Sequence, residues 1–275
     1  MKATCELCPH RCSLAEGRRG LCYVRTNNKG IIVSSAYGLL TALALDPIEK
    51  KPLARFYPGS MILSAGSYGC NMQCTFCQNW HIAVSDGTKL NLTSCLPEEL
   101  VREAIYQRKN GNIGIAYTYN EPLVNYEYVF DCARFARTEG LKNVLVTNGM
   151  INNDNWVKLL EYIDAANIDL KSFSPAFYHS MRGDLDTVKR NIRTASGKIH
   201  LEITTLVIEG LNDNEDEMNA ECQWLSKISD EIPLHLSRFF PHHKMKNHPP
   251  TSKNKLYELK SVAEKYLKYV YLGNI

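Results

Sequence analysis

The sequence predicts an α/β fold: a mostly parallel sheet covered by helices and preceded by a cysteine-rich extension. Two observations carry this. From about residue 60 onward, short apolar segments alternate six times with amphipathic ones at helical spacing, and strict βα alternation implies parallel strands joined by helical crossovers. Residues 1–60 are different: rich in Cys, Gly and Arg, broken by Pro47, Pro52 and Pro58, and without a long helical pattern. The chain therefore divides into an extension, 1–60, which wraps over a larger domain, and a core domain, 61–275.

The strands are expected at 61–65, 113–118, 143–147, 166–170, 200–206 and 234–237, each a short run rich in Val, Ile and Leu. Helices are expected near 97–109, 123–138, 153–163, 184–195, 214–229 and 252–268. Pro97-Glu98-Glu99 is a favourable helix start, with proline in the first turn and acids at the positive end of the dipole. Asn152 and the polar residues after it are cap candidates ahead of Val157, Leu159 and Leu160. Six βα units fit either an open sheet or a partial barrel, and periodicity does not choose between them. Either way the active site belongs at the carboxyl ends of the strands.

Composition narrows the function classes. Thirty-two basic against 29 acidic residues leave a net charge of +3, and the basic residues are scattered, which argues against a nucleic-acid partner. The N-terminus lacks the apolar core of a signal peptide, and no apolar run approaches a membrane span. A cytoplasmic location is expected, where thiols stay reduced and clustered cysteines point to metal or catalysis before disulfides. Of the 10 cysteines, Cys95, Cys132 and Cys222 stand alone and read as packing residues.

Cys70, Cys74 and Cys77 lie on the loop after the first core strand, spaced C-x3-C-x2-C. Structural zinc is normally closed by four ligands, and no partner pair follows; His81 is a poorly spaced fourth candidate. A cubane cluster fits better, because three thiolates leave one iron open for an external ligand. Beyond the loop, Asn167, Asp169 and Lys171 alternate along the fourth strand and share one face. Unpaired charge there would be costly in a buried strand, so an inward-facing site is the better account. Glu202 and Thr204 alternate in the same way on the fifth strand, and His235 lies on the last. Arg238, His242, His243 and Lys244 follow as candidates for a substrate mouth.

The C-x3-C-x2-C loop resembles the signature of the radical-SAM superfamily. Tyr117-Thr118-Tyr119-Asn120-Glu121-Pro122, Thr147-Asn148-Gly149 and Asp169-Leu170-Lys171 resemble the corresponding strand ends of pyruvate formate-lyase-activating enzymes. Together with Phe56-Tyr57-Pro58-Gly59-Ser60 and Cys77-Gln78-Asn79-Trp80, they are similar to the activating-enzyme-like group called AmmeMemoRadiSam. The resemblance runs over nearly the whole chain. It implies a partial (β/α)6 TIM-like barrel, a [4Fe–4S] cluster on Cys70, Cys74 and Cys77, and S-adenosylmethionine chelated at the open iron and cleaved to a 5′-deoxyadenosyl radical. It further implies that Phe76, Gln78, Asn120, Glu121, Thr147, Asn148, Asp169, Lys171 and His235 contact the cofactor. Two departures stand out: Ile208-Glu209-Gly210 replaces a common proline-glycine step, and the cysteine-rich tail common in the group is absent after Gly273-Asn274.

The expected activity is hydrogen abstraction from a substrate, a protein such as a glycyl-radical enzyme in one reading. In another it is a small molecule or a different peptide site, and in a third the fold is a metal-stabilised binding module. The implied partners are an electron donor of flavodoxin or ferredoxin type and, from the group's name, Memo-like and AMMECR-like proteins. Finally, Cys5, Cys8, Cys12 and Cys22 offer four thiolates within 22 residues. Four ligands suit zinc, which would pin a segment too short for its own core, and equally suit a second iron–sulfur cluster.

Overall fold

A computed structural model describes all 275 residues. One eight-stranded sheet dominates it: β1 (Ala42–Pro47), β2 (Met61–Gly66), β3 (Asn112–Tyr117), β4 (Lys142–Thr147), β5 (Ala165–Asp169), β6 (His200–Val207), β7 (Leu234–Arg238) and β8 (Val270–Gly273). The strands lie side by side in chain order, and every neighbouring pair is parallel except β1 with β2. A doubly wound sheet would reverse direction at a switch point. This one winds a single way, as a barrel does, and its edge strands β1 and β8 are not paired to each other. It is therefore a partial barrel.

The crossovers carry α1 (Pro97–Tyr106), α2 (Tyr126–Thr138), α3 (Asn153–Leu160), α4 (Leu185–Ala195), α5 (Glu215–Ser226) and α6 (Lys253–Ala263). All six strands and six helices expected from the sequence are present, two helices ending where expected and four ending three to five residues early. Two strands escaped the pattern. β1 is an antiparallel edge strand supplied by the extension, and β8 is a short, half-exposed strand after α6. β7, which carries His235, is thus not the last. No helix is long and apolar enough to cross a membrane.

Alternation along the strands separates two cores. Leu63, Ala65, Ile115, Leu145, Ile168, Leu201 and Ile203 face outward and pack with the helices in the main core. Ile62, Ala116, Val144 and Ala165 face inward and meet Ile48, Leu53 and Phe56 of the extension. Those three side chains close the floor of the barrel. Glu202 fastens the closure: its carboxylate accepts the N–H groups of Ala54 (2.9 Å) and Arg55 (2.8 Å). Asn167 donates to the carbonyl of Pro52 (2.8 Å). What remains open is the end where the strands finish.

The first 36 residues lie at that open end. Arg25 is held by Glu127 of α2 through two hydrogen bonds of 2.5 and 2.8 Å. Asn152 is the N-cap residue of α3, as expected, but its side chain makes no capping bond: its backbone N–H goes to the carbonyl of Leu7 (2.9 Å) and its side-chain amide to that of Glu6 (2.8 Å).

Candidate functional site

The three-cysteine loop leaves β2 and is tied down from four sides. Asn120, at the end of β3, accepts the N–H of Ser67 (2.9 Å) and donates to the carbonyls of Tyr68 (2.9 Å) and Gly69 (3.1 Å). Asn71 donates to the carbonyl of Met150 beyond β4 (2.7 Å). The backbone N–H of Gln73 reaches Met181 (2.8 Å), and Lys244 donates its own to the carbonyl of Thr75 (3.0 Å). Gly69 has φ +83°, and a Cβ there would sit 2.4 Å from Val24 and 2.5 Å from the carbonyl of Cys22. Only glycine fits that approach.

The strand ends converge on the loop. Asn148 donates its amide to Asn71 (2.9 Å) and toward the sulfur of Cys70 (3.6 Å). Glu121 positions Asn148: its buried carboxyl accepts the Thr147 hydroxyl and the Asn148 N–H, both at 2.7 Å, and the Leu123 N–H at 3.0 Å. Burial pushes Glu121 up to about 7, against the pull of these three donors. Lys171 pairs with Asp169 at 2.9 Å. Burial disfavours its charge, but Asp169 and the nearby Cys74 outweigh that and raise its pKa.

Of the residues expected to meet a cofactor, Cys70, Cys74, Cys77, Glu121, Thr147, Asn148, Asp169 and Lys171 are gathered here. Asn120 belongs to the same place but spends its whole amide on holding the loop. Phe76 is buried and stacks on Phe177 at 6.2 Å, while Gln78 is exposed. His235 lies apart. Its ring bonds Glu202 at 2.5 Å and stacks on Tyr271 at 5.3 Å, within the network that secures the barrel floor. Glu202 also takes a bond from His200 (2.8 Å). Although burial opposes its charge, these four hydrogen bonds hold it at about 2.

Sequence reasoning missed Asn71, the neighbour of Cys70 that links it to Asn148 and to the extension. It also missed a buried cluster on β1, where Asp46 pairs with Lys51 (2.9 Å) and accepts the Tyr119 hydroxyl (2.6 Å). The sequence separation of 73 residues between Tyr119 and Asp46 leaves no local signal for that contact.

The donor set fits an iron–sulfur core. All three thiols are free and partly buried. Burial pushes each of them up, Cys74 to about 11. Thiolates there need compensating positive charge, which a metal core supplies. A cluster takes its three thiolates on different irons and leaves one iron open for an external ligand.

Comparison with known proteins agrees with this geometry. The family model described as the radical SAM superfamily matches residues 65–221. An uncharacterized protein of Methanocaldococcus jannaschii is 38% identical over the whole of this chain and 82% of its own. The pyruvate formate-lyase 1-activating enzyme of Escherichia coli is 24% identical over 70% of this chain and 79% of its own. Among solved structures, a domain of pyruvate-formate lyase-activating enzyme from Bacteroides vulgatus superposes with a TM-score of 0.51 at 18% identity. That match covers 58% of this chain and 99% of the domain.

Proposed function

The chain belongs to the radical SAM superfamily, and from that premise we propose that it is an enzyme that cleaves S-adenosylmethionine reductively and abstracts hydrogen from a protein or peptide. The family implies a [4Fe–4S] cluster and S-adenosylmethionine, and Cys70, Cys74 and Cys77 are the residues that would hold the cluster. When bound, the two together supply the radical chemistry: an electron breaks the sulfonium carbon–sulfur bond, and the 5′-deoxyadenosyl radical takes a hydrogen atom.

The observation that carries this reading is that the three thiols of the loop and the Asp169–Lys171 pair at the end of β5 are brought together at the open end of the barrel. The chain's own part is positioning. Asn120 and Asn71 fix the loop, and Glu121 orients Asn148 against Cys70. Lys171, aligned by Asp169, offers an ammonium to a ligand carboxylate. The floor sealed by Ile48, Leu53 and Phe56 directs substrate to the other end. Trp80 stands there, stacked on His243 at 5.2 Å and 41% exposed, and the exposed Phe240 lies three residues before His243 in the chain.

A macromolecular substrate is supported by that aromatic rim and by the likeness to activating enzymes. Action on a backbone glycine, and any partnership with Memo-like or AMMECR-like proteins, rest on the resemblance alone.

The test is to reconstitute the protein anaerobically, reduce it, add S-adenosylmethionine and quantify 5′-deoxyadenosine against iron, with Cys74→Ala as control. Nucleoside from the parent and none from the variant is the expected result. An iron-loaded parent that forms no nucleoside, with or without candidate partners, would overturn the reading. Deuterium passing from a labelled partner protein into the nucleoside would identify the hydrogen donor; label found only from small-molecule pools would reject the macromolecular substrate.

A further inference from the structure

The four N-terminal cysteines have no part in the chemistry above, yet the fold brings them together beside it. The N–H of Cys5 bonds the carbonyl of Cys12 (3.0 Å) and closes the first loop. Cys5 and Cys22 lie close enough to the Cys8 thiol, and Cys5 close enough to that of Cys22, to act on them electrostatically, and the backbone N–H of Arg25 reaches the Cys22 sulfur at 3.4 Å. The sulfur of Cys12 lies over Gly20, two residues before Cys22. None of the four is in a disulfide. A second, independent feature points to an anionic group. Arg25 is only 7% exposed, contacts Cys5, and has a buried Nε–H with no partner. A buried guanidinium donor left unpaired is costly, and a thiolate-ligated centre would satisfy it.

The surroundings join this set to the first site. The Cys8 thiol touches the side chain of Asn71, which is bonded covalently to Cys70 and through its amide oxygen to Asn148. His10 bonds the carbonyl of Asn71 at 2.7 Å. Cys22 packs its carbonyl against Gly69.

We propose that Cys5, Cys8, Cys12 and Cys22 hold a second iron–sulfur cluster, in electron contact with the one on the Cys70–Cys77 loop. Zinc would use the same four thiolates; a cluster is preferred because the set lies against the Cys70–Cys77 loop through Asn71 and Gly69, where a redox centre has a partner and a zinc ion has none. Electron transfer to the loop cluster rests on the function proposed above; the metal site itself does not. In that transfer one electron from a one-electron protein donor reduces the second cluster and then passes to the loop cluster. The second cluster returns to its oxidised state, and no atom moves. Residues 1–30 carry six basic and two acidic side chains, which suits an acidic donor surface.

The experiment uses the full chain, reconstituted anaerobically, as parent, as Cys70→Ala/Cys74→Ala/Cys77→Ala, and as Cys8→Ser/Cys12→Ser. The last pair replaces the two half-exposed thiols. Iron, acid-labile sulfide and zinc are counted per chain, and the reduced proteins are compared by electron paramagnetic resonance. Each variant is expected to keep about half of the parent's iron and sulfide, as two four-iron clusters require. The reduced parent is expected to show magnetic coupling that both variants lose.

A loop variant free of iron overturns the proposal, as does one zinc per chain that disappears with Cys8 and Cys12. If the Cys8/Cys12 variant does not fold, the loop variant alone still decides, since its N-terminal site is intact. Iron held by the loop variant but absent from a folded Cys8/Cys12 variant would instead count against the function proposed above. For the relay, the Cys8/Cys12 variant should accept electrons from a reduced flavodoxin-type protein about tenfold more slowly, a barrier difference of about 1.4 kcal/mol, with dithionite reduction unchanged. Equal rates with the protein donor overturn the relay.

Discussion

Glu202→Gln tests whether one carboxylate holds the barrel floor. In the native chain its two oxygens accept four hydrogen bonds, from the backbone of Ala54 and Arg55 and from the rings of His200 and His235. Glutamine keeps one oxygen and turns a donor toward the partners of the other. A histidine can switch tautomer and accept that donor; a backbone N–H cannot. One buried N–H is therefore stranded, at about 1–3 kcal/mol, and the remaining bonds lose the charge that strengthened them, for a total near 3 kcal/mol.

Proton linkage gives the same size independently. A carboxyl held at about 2 against its ordinary 4.5 contributes roughly 3 kcal/mol at neutral pH. Because the folded pKa is the lower one, this stability is present above about pH 4.5 and is lost as the pH falls toward 2. Urea unfolding of parent and variant at pH 7 and near pH 3 should therefore show a gap of about 3 kcal/mol that narrows in acid. Trypsin supplies a local readout: the Arg55–Phe56 bond, with Phe56 buried in the floor, should be cut faster in the variant. A gap under about 1 kcal/mol at pH 7, with that bond still protected, would refute the role given to Glu202.

Three further outcomes are expected. Gly69→Ala places a methyl against Val24 and Cys22 at a left-handed backbone position, so reconstituted iron should fall and the thermal midpoint should drop by several degrees; unchanged iron loading would show that the extension need not press on the loop. Lys171→Met should keep the iron of the parent but bind S-adenosylmethionine about ten- to a hundredfold more weakly, the value of a charge-assisted hydrogen bond of about 1.5–3 kcal/mol; calorimetric titration giving equal affinity removes Lys171 from the ligand site. Glu221, pushed up to about 8 by burial despite the hydrogen bond from Thr205 (2.6 Å), contributes stability that is full below about pH 4.5 and is lost as the pH rises through 8. Glu221→Gln should therefore match the parent near pH 4 and exceed it by about 4 kcal/mol at pH 8; parallel stability curves would contradict this.

The legible parts of the chain were those whose signal is local. Six strands and six helices followed from apolar periodicity, and the cluster loop followed from three cysteines after a strand. β1 was missed because Pro47 reads as a breaker and exposed Leu43 and Ala44 hide the alternation; an antiparallel edge strand tolerates both. β8 was missed because its four residues are mostly half-exposed. Alternation correctly turned Asp169 and Glu202 inward but did not show their depth in the barrel, and the resemblance marked His235 without showing its place there. Glu202 bonds a segment nearly 150 residues away, and that contact commits it and His235 to the floor. Matching motifs likewise marked Asn120 and Glu121 without showing that their polar atoms are taken by the chain itself.

Charge balance inside the barrel bears on what kind of substrate reaches it. Asp46 is matched by Lys51 and Tyr119, Asp169 by Lys171, and Glu202 by two rings and two backbone amides. Beyond the carboxylate that Lys171 is proposed to receive, a charged substrate group entering this space would have to break one of these pairs and leave its partner buried alone, at about 3–5 kcal/mol. The buried groups on these strands that lack a partner are neutral: the Ser64 and Thr204 hydroxyls and the side-chain oxygen of Asn167. Hydroxyls and an amide oxygen suit a ligand that brings N–H and C=O dipoles. A segment of polypeptide backbone offers those dipoles and no net charge. These dipoles support the protein or peptide substrate proposed above, by a route independent of the likeness to activating enzymes.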